Sequence, residues 1–506
     1  MAENNYPSGI YAPTDPLTPT NDDNPGDDPS WITGPVLDMS ENWQPIDCCV
    51  GGTQYFRANA VAFLPQEPKE DESAWERRVS HATLSPYTVR IAEQAAGLIL
   101  RKPIQLASQN EGGEIDPYWE DFAKNIDGFG TEIDSFARKL AINSVLYGHS
   151  AVLVDYPSTE SASNLAEERA LGLRPYLINV DAKNILGWRK DQSSPIAPIT
   201  QIRLNELVSE PMGLFGDQVV RQIRVLEPGS WKVYRQAKNQ DEWFVYQEGQ
   251  TSISKIPLAV TYSHKEAELI SKPPLLPIAN LNIAHGQRTA DLSHSLHVAA
   301  LPILVLQGFD DTDNEIGLSA NSAILLPPEG KASFCEPASS AFAAQQGFIS
   351  ELENQMSNLG ISTLFAQKMA AETAESKQIS RSDSDSLLAV VSKDLQACLQ
   401  EAFDLAAAFI GMEAPLINLD RDFDLAQLDG SQVQQYLQLW MNGAITQETL
   451  LEQLKKGEIL PSVDVETEIE LTGQETLNTM VSLPPDDEEE EETELPDPVN
   501  SQEMES

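Results

Sequence analysis

Apolar residues recur every three or four positions in several separate segments of the chain, which is the spacing of a helix with one buried face. The first two segments, residues 70–85 and 87–101, are separated by Pro86 and therefore predict a pair of helices. Residues 131–147 show the same spacing before Gly148 and predict a third helix.

Longer helical patterns occupy the second half of the chain. Residues 280–300 and 339–357 predict two helices, and residues 372–410 predict a longer one that could approach about 50 Å at about 1.5 Å per residue. The apolar stripe of this longest helix consists of Leu388, Val391, Leu395, Cys398, Ala402, Leu405 and Phe409. A final helical pair is predicted over residues 431–456, with Thr446 as the N-cap of its second helix.

Alternating apolar and polar residues predict strands in the remaining regions. Residues 151–154 form a short apolar run typical of a buried strand, and residues 223–246 alternate around turn residues as an antiparallel meander does. Two more apolar segments, 301–309 and 323–326, lie between the first two of the longer helices. Together these patterns predict an α+β fold that is mainly helical.

The two ends of the chain differ in composition from the rest. Residues 1–45 contain eight prolines among Asn, Asp, Ser and Thr, so we predict an extended or disordered arm. Residues 461–506 include the acidic run 486–492, whose charges repel one another, and we predict an acidic tail without a folded element.

Charge limits the functions that the chain can perform. It carries 78 acidic and 33 basic residues, a formal net charge of −45. Proteins that hold DNA firmly cluster lysines and arginines to neutralise phosphates, whereas here these residues occur at most in pairs. Sustained DNA binding is therefore not expected; the plainer interpretation is an acidic, soluble protein with solvated faces.

The longest apolar run, residues 298–306, is far shorter than the roughly 20 residues that span a bilayer, so no membrane partner is expected.

Motifs that would indicate catalysis or a metal site are incomplete. No glycine-rich stretch ends in Gly-Lys-Ser or Gly-Lys-Thr, so an ATP-driven motor is not expected. His285, His294 and His297 share one predicted helix, but at about 100° per residue His285 lies nearly opposite His294. The four cysteines have neither metal-ligand spacing nor the pattern of a disulfide framework. We predict no cofactor, no metal and no enzymatic activity.

Seven short segments, taken in order, point to one protein family. The first three are FLPQEPKEDESAWERRV (63–79), LRPYLINVDAKNILGWR (173–189) and PPLLPIANLNIAHGQRTADLSHSLH (273–297). The other four are LPILVLQGF from Leu301, SAILLPPEG from Ser322, ETAESKQI from Glu372 and WMNGAITQETLLEQLKKGEIL (440–460). Their ordered occurrence resembles the portal proteins of tailed bacteriophages, although no single segment is catalytic. The resemblance covers residues 63–460 and leaves out both ends.

The resemblance implies a ring, a dodecamer in this family, at one vertex of the capsid. The subunit regions that it implies are the wing (46–272), first stem helix (273–300), clip (301–337), second stem helix (338–357), tunnel loop (358–371), long wing helix (372–412) and crown (413–460). The wing would combine helices with the antiparallel meander.

The same resemblance implies a function and a set of partners. A portal protein is the channel for DNA packaging and ejection, and it is the platform on which the terminase large subunit and a tail adaptor protein dock. It also contacts the major capsid protein. Double-stranded DNA would pass through the channel without sequence-specific binding, and the protein would be assembled in the host cytoplasm and belong to the virion.

Two sets of residues are candidates for these roles. The tunnel loop would contain Gly360, Phe365 and Lys368, and Lys368 is the only basic residue between positions 360 and 371. One lysine per subunit could touch DNA phosphates transiently, or it could simply keep an exposed loop soluble. Neighbouring subunits would be contacted through the stem and clip residues Leu296, Val298, Leu301 and Ile303.

Two other functions are compatible with the sequence. The chain could be a different structural component of a virion, such as a tail adaptor or a scaffold. It could also be a soluble hydrolase whose site carries no recognisable motif. A closed ring with a central channel would separate the portal hypothesis from both.

Deletion of residues 484–506 is expected to leave folding and ring assembly intact, because the segment has no apolar periodicity and its like charges repel. Removing the charges should slightly favour self-association. Light scattering on the full-length and truncated proteins measures the mass of the assembly, and loss of rings in the truncated protein would show that the tail is structural.

Overall fold

The structure is a computed structural model that describes most of the chain between residues 26 and 456. The described ranges are 26–110, 113–157, 173–191, 193, 197–236, 242–299, 303–307, 330–335, 339–364, 387–420, 430–442, 444–456 and residue 469. They belong to two compact units, Met1–Arg421 and Asp422–Ser506.

Helices make up much of the first unit. They are α1 (Gly34–Ala58), α2 (Ala60–Phe63), α3 (Glu72–His81), α4 (Tyr87–Ile99), α5 (Pro117–Lys124), α6 (Ile133–Tyr147), α7 (Leu276–Ala299), α8 (Ser339–Leu364) and α9 (Leu387–Ile410). The helices predicted at 70–85, 87–101 and 131–147 correspond to α3, α4 and α6. Those sequence predictions are confirmed.

The strands of the first unit pair antiparallel throughout. They are β1 (Gln105–Ala107), β2 (His149–Asp155), β3 (Tyr176–Asp181), β4 (Ile185–Lys190), β5 (Ile199–Met212), β6 (Gly216–Glu227), β7 (Ser230–Gln236), β8 (Trp243–Gln250), β9 (Leu258–Tyr262), β10 (Lys265–Ala267), β11 (Ile270–Ser271), β12 (Ile303–Gln307), β13 (Lys331–Cys335) and β14 (Leu416–Asn418). A five-stranded sheet has the order β4-β5-β6-β7-β8, and a three-stranded sheet has the order β3-β2-β9. The architecture is α+β, as the sequence patterns predict.

The buried strand and the meander occur where the sequence predicts them. Nearly every residue of β2 is buried, because the strand lies in the middle of the three-stranded sheet and α6 and α9 both pack against that sheet. β6, β7 and β8 form the meander. Its apolar residues join those of the three-stranded sheet in one cluster that includes Leu153, Leu204 and Leu226.

The N-terminal arm predicted over residues 1–45 is wrong for residues 34–45, which begin α1. Pro35 lies in the first turn of this helix, where the missing N–H of proline has no partner to lose. Trp43 is buried, and its Nε1 donates to the backbone oxygen of Tyr147 at 3.0 Å. Proline content alone did not reveal these tertiary contacts. Residues 1–25 lie outside the described ranges.

The long helix predicted at 372–410 is described from Leu387 onward as α9. Its predicted stripe is buried from Leu388 to Leu405, and Phe409 is half-buried. The 24 residues of α9 span about 36 Å at about 1.5 Å per residue. Residues 372–386 lie outside the described ranges.

The second unit contains α10 (Gly430–Met441) and α11 (Gln447–Lys456), which pack together. The Thr446 hydroxyl accepts a hydrogen bond from the backbone N–H of Thr449 at 3.1 Å. The predicted helical pair and its N-cap are therefore confirmed. No helix among the described residues is long and apolar enough to cross a membrane.

Replacing Phe403 with Ala is expected to lower the free energy of unfolding by about 3–5 kcal/mol, because the ring is fully buried. Its centroid lies 5.6 Å from that of Trp119 and 5.3 Å from that of Phe122. Urea denaturation monitored by tryptophan fluorescence measures the change. The control Val390→Ala lies on a partly exposed position of the same helix and should cost much less.

Candidate assembly element

Two long helices and a β-hairpin occur between residues 276 and 364. Their order along the chain is α7, β12, β13 and α8, and the two helices pack against each other. His285 Nε2 lies 3.2 Å from Glu353 Oε1, and each of these residues is fourteen positions from the hairpin end of its helix. Ile303 of β12 pairs with Cys335 of β13, each four residues beyond the end of its helix, so α7 and α8 run antiparallel with their ends level. We call α7, β12, β13 and α8 the assembly element.

The base of the assembly element is attached to α4 through Asn282, which is fully buried. Asn282 Oδ1 accepts from the backbone N–H and the hydroxyl of Thr88 at 3.1 and 3.2 Å, and its Nδ2 donates to the carbonyl of Ser85 at 2.9 Å. The N-cap of α4 is Pro86, which makes no side-chain cap. Asn282 therefore completes the N-terminus of α4 from a distant part of the chain.

Arg78 attaches α7 to α3. Its guanidinium donates to both carboxylate oxygens of Glu70, at 2.7 and 2.8 Å, and to Asp291 of α7 at 3.2 Å. These hydrogen bonds hold the pKa of Glu70 below its usual range. The pair therefore stabilises the fold above the ordinary pKa of a glutamate, and the contribution is lost as pH falls through the lowered value.

The outer half of the assembly element, towards the hairpin, is much less covered than its base. Leu296 on α7 is 47% exposed and Phe348 on α8 is 52% exposed. Between residues 342 and 360 of α8, the buried side chains form a narrow row of every fourth residue, at Leu352, Met356 and Gly360. The outer halves of the two helices therefore present apolar side chains to solvent.

β12 and β13 form a regular antiparallel ladder that pairs Ile303 with Cys335 and Gln307 with Lys331. Among the described strands they pair only with each other. A lone two-stranded hairpin is marginally stable in water. β13 was not predicted, although Ala332 and Phe334 alternate with polar residues there; the strand predicted at 323–326 lies outside the described residues.

Three of the four residues predicted to contact a neighbouring subunit lie within the described part of the chain. Leu296 lies on the exposed outer half of α7, and Val298 follows it in the last turn. Ile303 is the first residue of β12, and Leu301 lies outside the described residues. Their contact with a neighbouring subunit stays a prediction. Phe348 was not singled out, although it continues the row of every fourth residue that includes Leu352.

The tunnel loop predicted at 358–371 is wrong for residues 358–364, which are the last turns of α8. Gly360 is a buried helical residue, and a Cβ at this position would lie 2.9 Å from Cδ1 of Ile91 on α4. The glycine therefore permits close packing of two helices and does not mark a turn. Phe365 and Lys368 lie outside the described residues.

Three cysteine thiols that could act as nucleophiles are buried. Burial raises the pKa of the Cys48 and Cys398 thiols far above their usual range and raises the pKa of Cys49 to about 11. Thiols with raised pKa values are poor nucleophiles. His297 stacks on His81, with ring centroids 5.8 Å apart. Within the described ranges no group of three or more His, Cys, Asp or Glu residues could hold a metal ion.

Comparison with protein families gives one match, to a family described as a domain of unknown function, DUF4055, over residues 274–410. The matched segment is about a quarter of the chain. It begins two residues before α7 and ends with the last residue of α9. The family boundaries thus enclose the assembly element and the helix that follows it. No curated protein matches the chain.

Solved structures that are similar to the chain come from gene transfer agent (GTA) particles. A chain in the neck of an empty GTA particle, computed with C6 symmetry, is 12% identical with a TM-score of 0.38, covering 75% of this chain and 93% of that one. A chain in the virion of a native GTA particle is 11% identical with a TM-score of 0.37, covering 78% and 96%. A chain in the neck of a native GTA particle, computed with C12 symmetry, is 12% identical with a TM-score of 0.36, covering 79% and 98%.

Replacing Gly360 with Leu is expected to lower the free energy of unfolding by about 1–3 kcal/mol, because the side chain would press on Ile91. The matched control is Gly347→Leu on the same helix, where nothing lies within 4 Å of a new Cβ. There the better helix propensity of leucine should raise stability by about 0.5–1 kcal/mol. Thermal unfolding of both variants measures the contrast, and equal effects would contradict the packing of Gly360 against α4.

Proposed function

We propose that the chain is the portal protein of a tailed bacteriophage, a ring-forming structural subunit without enzymatic activity. The observation that carries the proposal is the assembly element: two antiparallel helices that bracket a small β-hairpin and expose apolar side chains on their outer halves. The ordered sequence resemblance over residues 63–460 supports the same conclusion.

The assembly element has the dimensions of a stem and the chemistry of a subunit contact. α7 and α8 contain 24 and 26 residues and so extend about 36–39 Å at about 1.5 Å per residue. Leu296 and Phe348 need cover that the described part of the chain does not provide. Identical neighbours in a closed ring would supply it at every subunit, because each subunit presents the same helices.

In this proposal α7 and α8 are the stem and β12 and β13 belong to the clip. The five-stranded and three-stranded sheets with α1–α6 and α9 form the wing, and α10 and α11 belong to the crown. The ring, a dodecamer in the portal family, lies at one capsid vertex in contact with the major capsid protein. Terminase docks on it during packaging, and a tail adaptor docks afterwards.

The charge of the chain suits a channel better than a DNA-binding surface. The 33 lysines and arginines are outnumbered by 78 acidic residues and occur at most in pairs, so they form no cluster that would bind several phosphates. Each phosphate neutralised by a fixed lysine or arginine would add to the free energy that holds the duplex in place. An acidic protein lets double-stranded DNA slide during packaging and ejection.

The purified protein is expected to form closed rings with a central channel in negative-stain electron micrographs. Replacing Leu296 and Phe348 together with Ser should raise the concentration needed for rings at least about tenfold, because each replacement removes exposed apolar area from the subunit contact. Light scattering over a dilution series measures this concentration.

The matched control is Gln346→Ser, which lies on an exposed part of the same helix and should leave assembly unchanged. Circular dichroism should be the same for all variants, because none of the changed residues is buried. A wild-type protein that stays folded and monomeric at micromolar concentration would contradict the portal proposal. Assembly into open or irregular oligomers would favour a tail adaptor or a scaffold.

A further inference from the structure

The segment that precedes α1 crosses one face of the five-stranded sheet. The backbone N–H of Thr33 donates to the carbonyl of Leu186 on β4 at 3.1 Å. Arg203 on β5 donates to the carbonyl of Pro29 at 3.2 Å and to that of Asp28 at 3.5 Å. From Thr33 back to Asp28, the chain therefore passes from the edge strand β4 onto its neighbour β5.

The carboxylate of Asp28 also lies near Arg221 on β6. Burial lowers the pKa of Arg221, and the negative charge of Asp28 partly offsets this effect because it favours the charged guanidinium. Leu207 on β5 pairs with Arg221 and is four residues from Arg203, so both arginines project from the same face. Followed backwards, the segment crosses β4, β5 and β6 in this order and is directed towards β7 and β8.

The cover of this face ends where the described segment ends. Ile223, two residues from Arg221 on β6, pairs with Tyr234 on β7, and Tyr234 pairs with Val245 on β8, so the three side chains form one row across the face. Exposure rises along the row, because Ile223 is fully buried, Tyr234 is half-buried and Val245 is 45% exposed. The apolar end of the row at β7 and β8 is therefore a surface that an extended segment could cover.

The charges of this face suit an acidic segment. Burial and the neighbouring Arg189 lower the pKa of Arg203, and the buried Nε of Arg203 has no hydrogen-bond partner among the described residues. The cations on the face outnumber its carboxylates by one, in a chain with a net charge of −45. The residues concerned are Arg189, Arg203, Arg221 and Lys232 against Asp217, Glu227 and Glu248. Residues 1–25 contain four acidic residues and no basic one, so their charge is complementary to that of the face.

The distance to β8 matches the length of chain that comes next. Neighbouring strands lie about 4.8 Å apart, so β8 lies about 10–12 Å beyond the place between β5 and β6 where Asp28 crosses. An extended chain covers about 3.3 Å per residue, so three or four residues span this distance. Residues 24 and 25 therefore reach β8.

We propose that residues 22–25 dock on this face of their own chain, where they continue the crossing over β7 and β8 and cover Tyr234 and Val245. The segment reads Asp-Asp-Asn-Pro, and the proline, which has no N–H, suits a chain that crosses strands and does not pair with one. The residues before Asp22 then leave the sheet from a fixed place at the edge formed by β8. This docking surface does not depend on the proposed ring.

A disulfide tests the contact directly. The variant combines Asn24→Cys with Val245→Cys, and peptide mapping after mild oxidation measures the bond between them. The matched control combines Asn24→Cys with Phe244→Cys, because Phe244 is a similarly exposed neighbour on β8 that projects from the opposite face. The bond to position 245 should form at least about tenfold faster, because docking raises the effective concentration of the two thiols.

Native thiols are controlled in the same experiment. Cys48, Cys49 and Cys398 are buried, and every variant carries Cys335→Ser.

Thiol labelling provides a second measurement. Val245→Cys in the full-length protein should react with a maleimide at least about tenfold more slowly than in a variant that lacks residues 2–25, because a covered thiol reacts only when its cover opens. Phe244→Cys should react at the same rate in both backgrounds. Circular dichroism checks that the shortened protein is folded, as expected because it keeps the contacts of Asp28, Pro29 and Thr33.

The outcomes are decisive for the docking surface. Equal rates of disulfide formation at positions 244 and 245, or labelling of Val245→Cys that does not respond to the deletion, would overturn the inference. Disulfide-linked dimers in place of the intramolecular bond would show that the face receives the segment of another copy, and would also overturn it. Neither measurement requires a ring, so a failed docking surface leaves the portal proposal standing, and a protein without rings can still show the docking.

Discussion

The position of the helix pair α7–α8 depends on polar side chains buried at its base. Asn282 supplies hydrogen bonds that the N-terminus of α4 lacks, and Arg78 joins Glu70 to Asp291 of α7. Apolar packing alone would let a long helix slide or rotate at small cost, whereas directional hydrogen bonds in a water-poor site specify one arrangement. A small rotation at the base would become a large displacement at the hairpin, so this constraint positions the whole assembly element.

Four exposed apolar residues of the first unit lie on projecting parts of the fold. Leu296 and Phe348 are on the outer halves of the two helices, and Leu214 with Phe215 are at the end of a long hairpin. Surfaces of this kind are ordinarily avoided because they cause association. In a chain with a net charge of −45, repulsion between copies is strong, and uncharged projecting patches are the places where copies can approach. Acidic composition and exposed apolar side chains are the two features of the described chain on which the proposed assembly rests.

Two arginines of the five-stranded sheet form ion pairs within the fold. Arg224 binds Asp155 and Glu206, and Arg235 binds Glu210 at 2.7 Å. Arginines held in this way stabilise the sheet but are not available to phosphates. The scarcity of clustered cations that the sequence shows is therefore reinforced by the tertiary structure. In the proposed role, such a protein would let a duplex slide more readily than it would retain one.

The sequence by itself determined the elements whose apolar residues repeat with a regular period: α3, α4, α6, the buried face of α9 and the α10–α11 pair with its Thr446 cap. A helix or strand that buries one face needs apolar residues at regular intervals, so these elements can be recognised from the sequence. Only the tertiary structure decided that α1 begins at Gly34 and that α8 continues through Gly360. Trp43 and Gly360 take their roles from Tyr147 and Ile91, residues distant in the chain, and a contact between distant residues leaves no period in either segment.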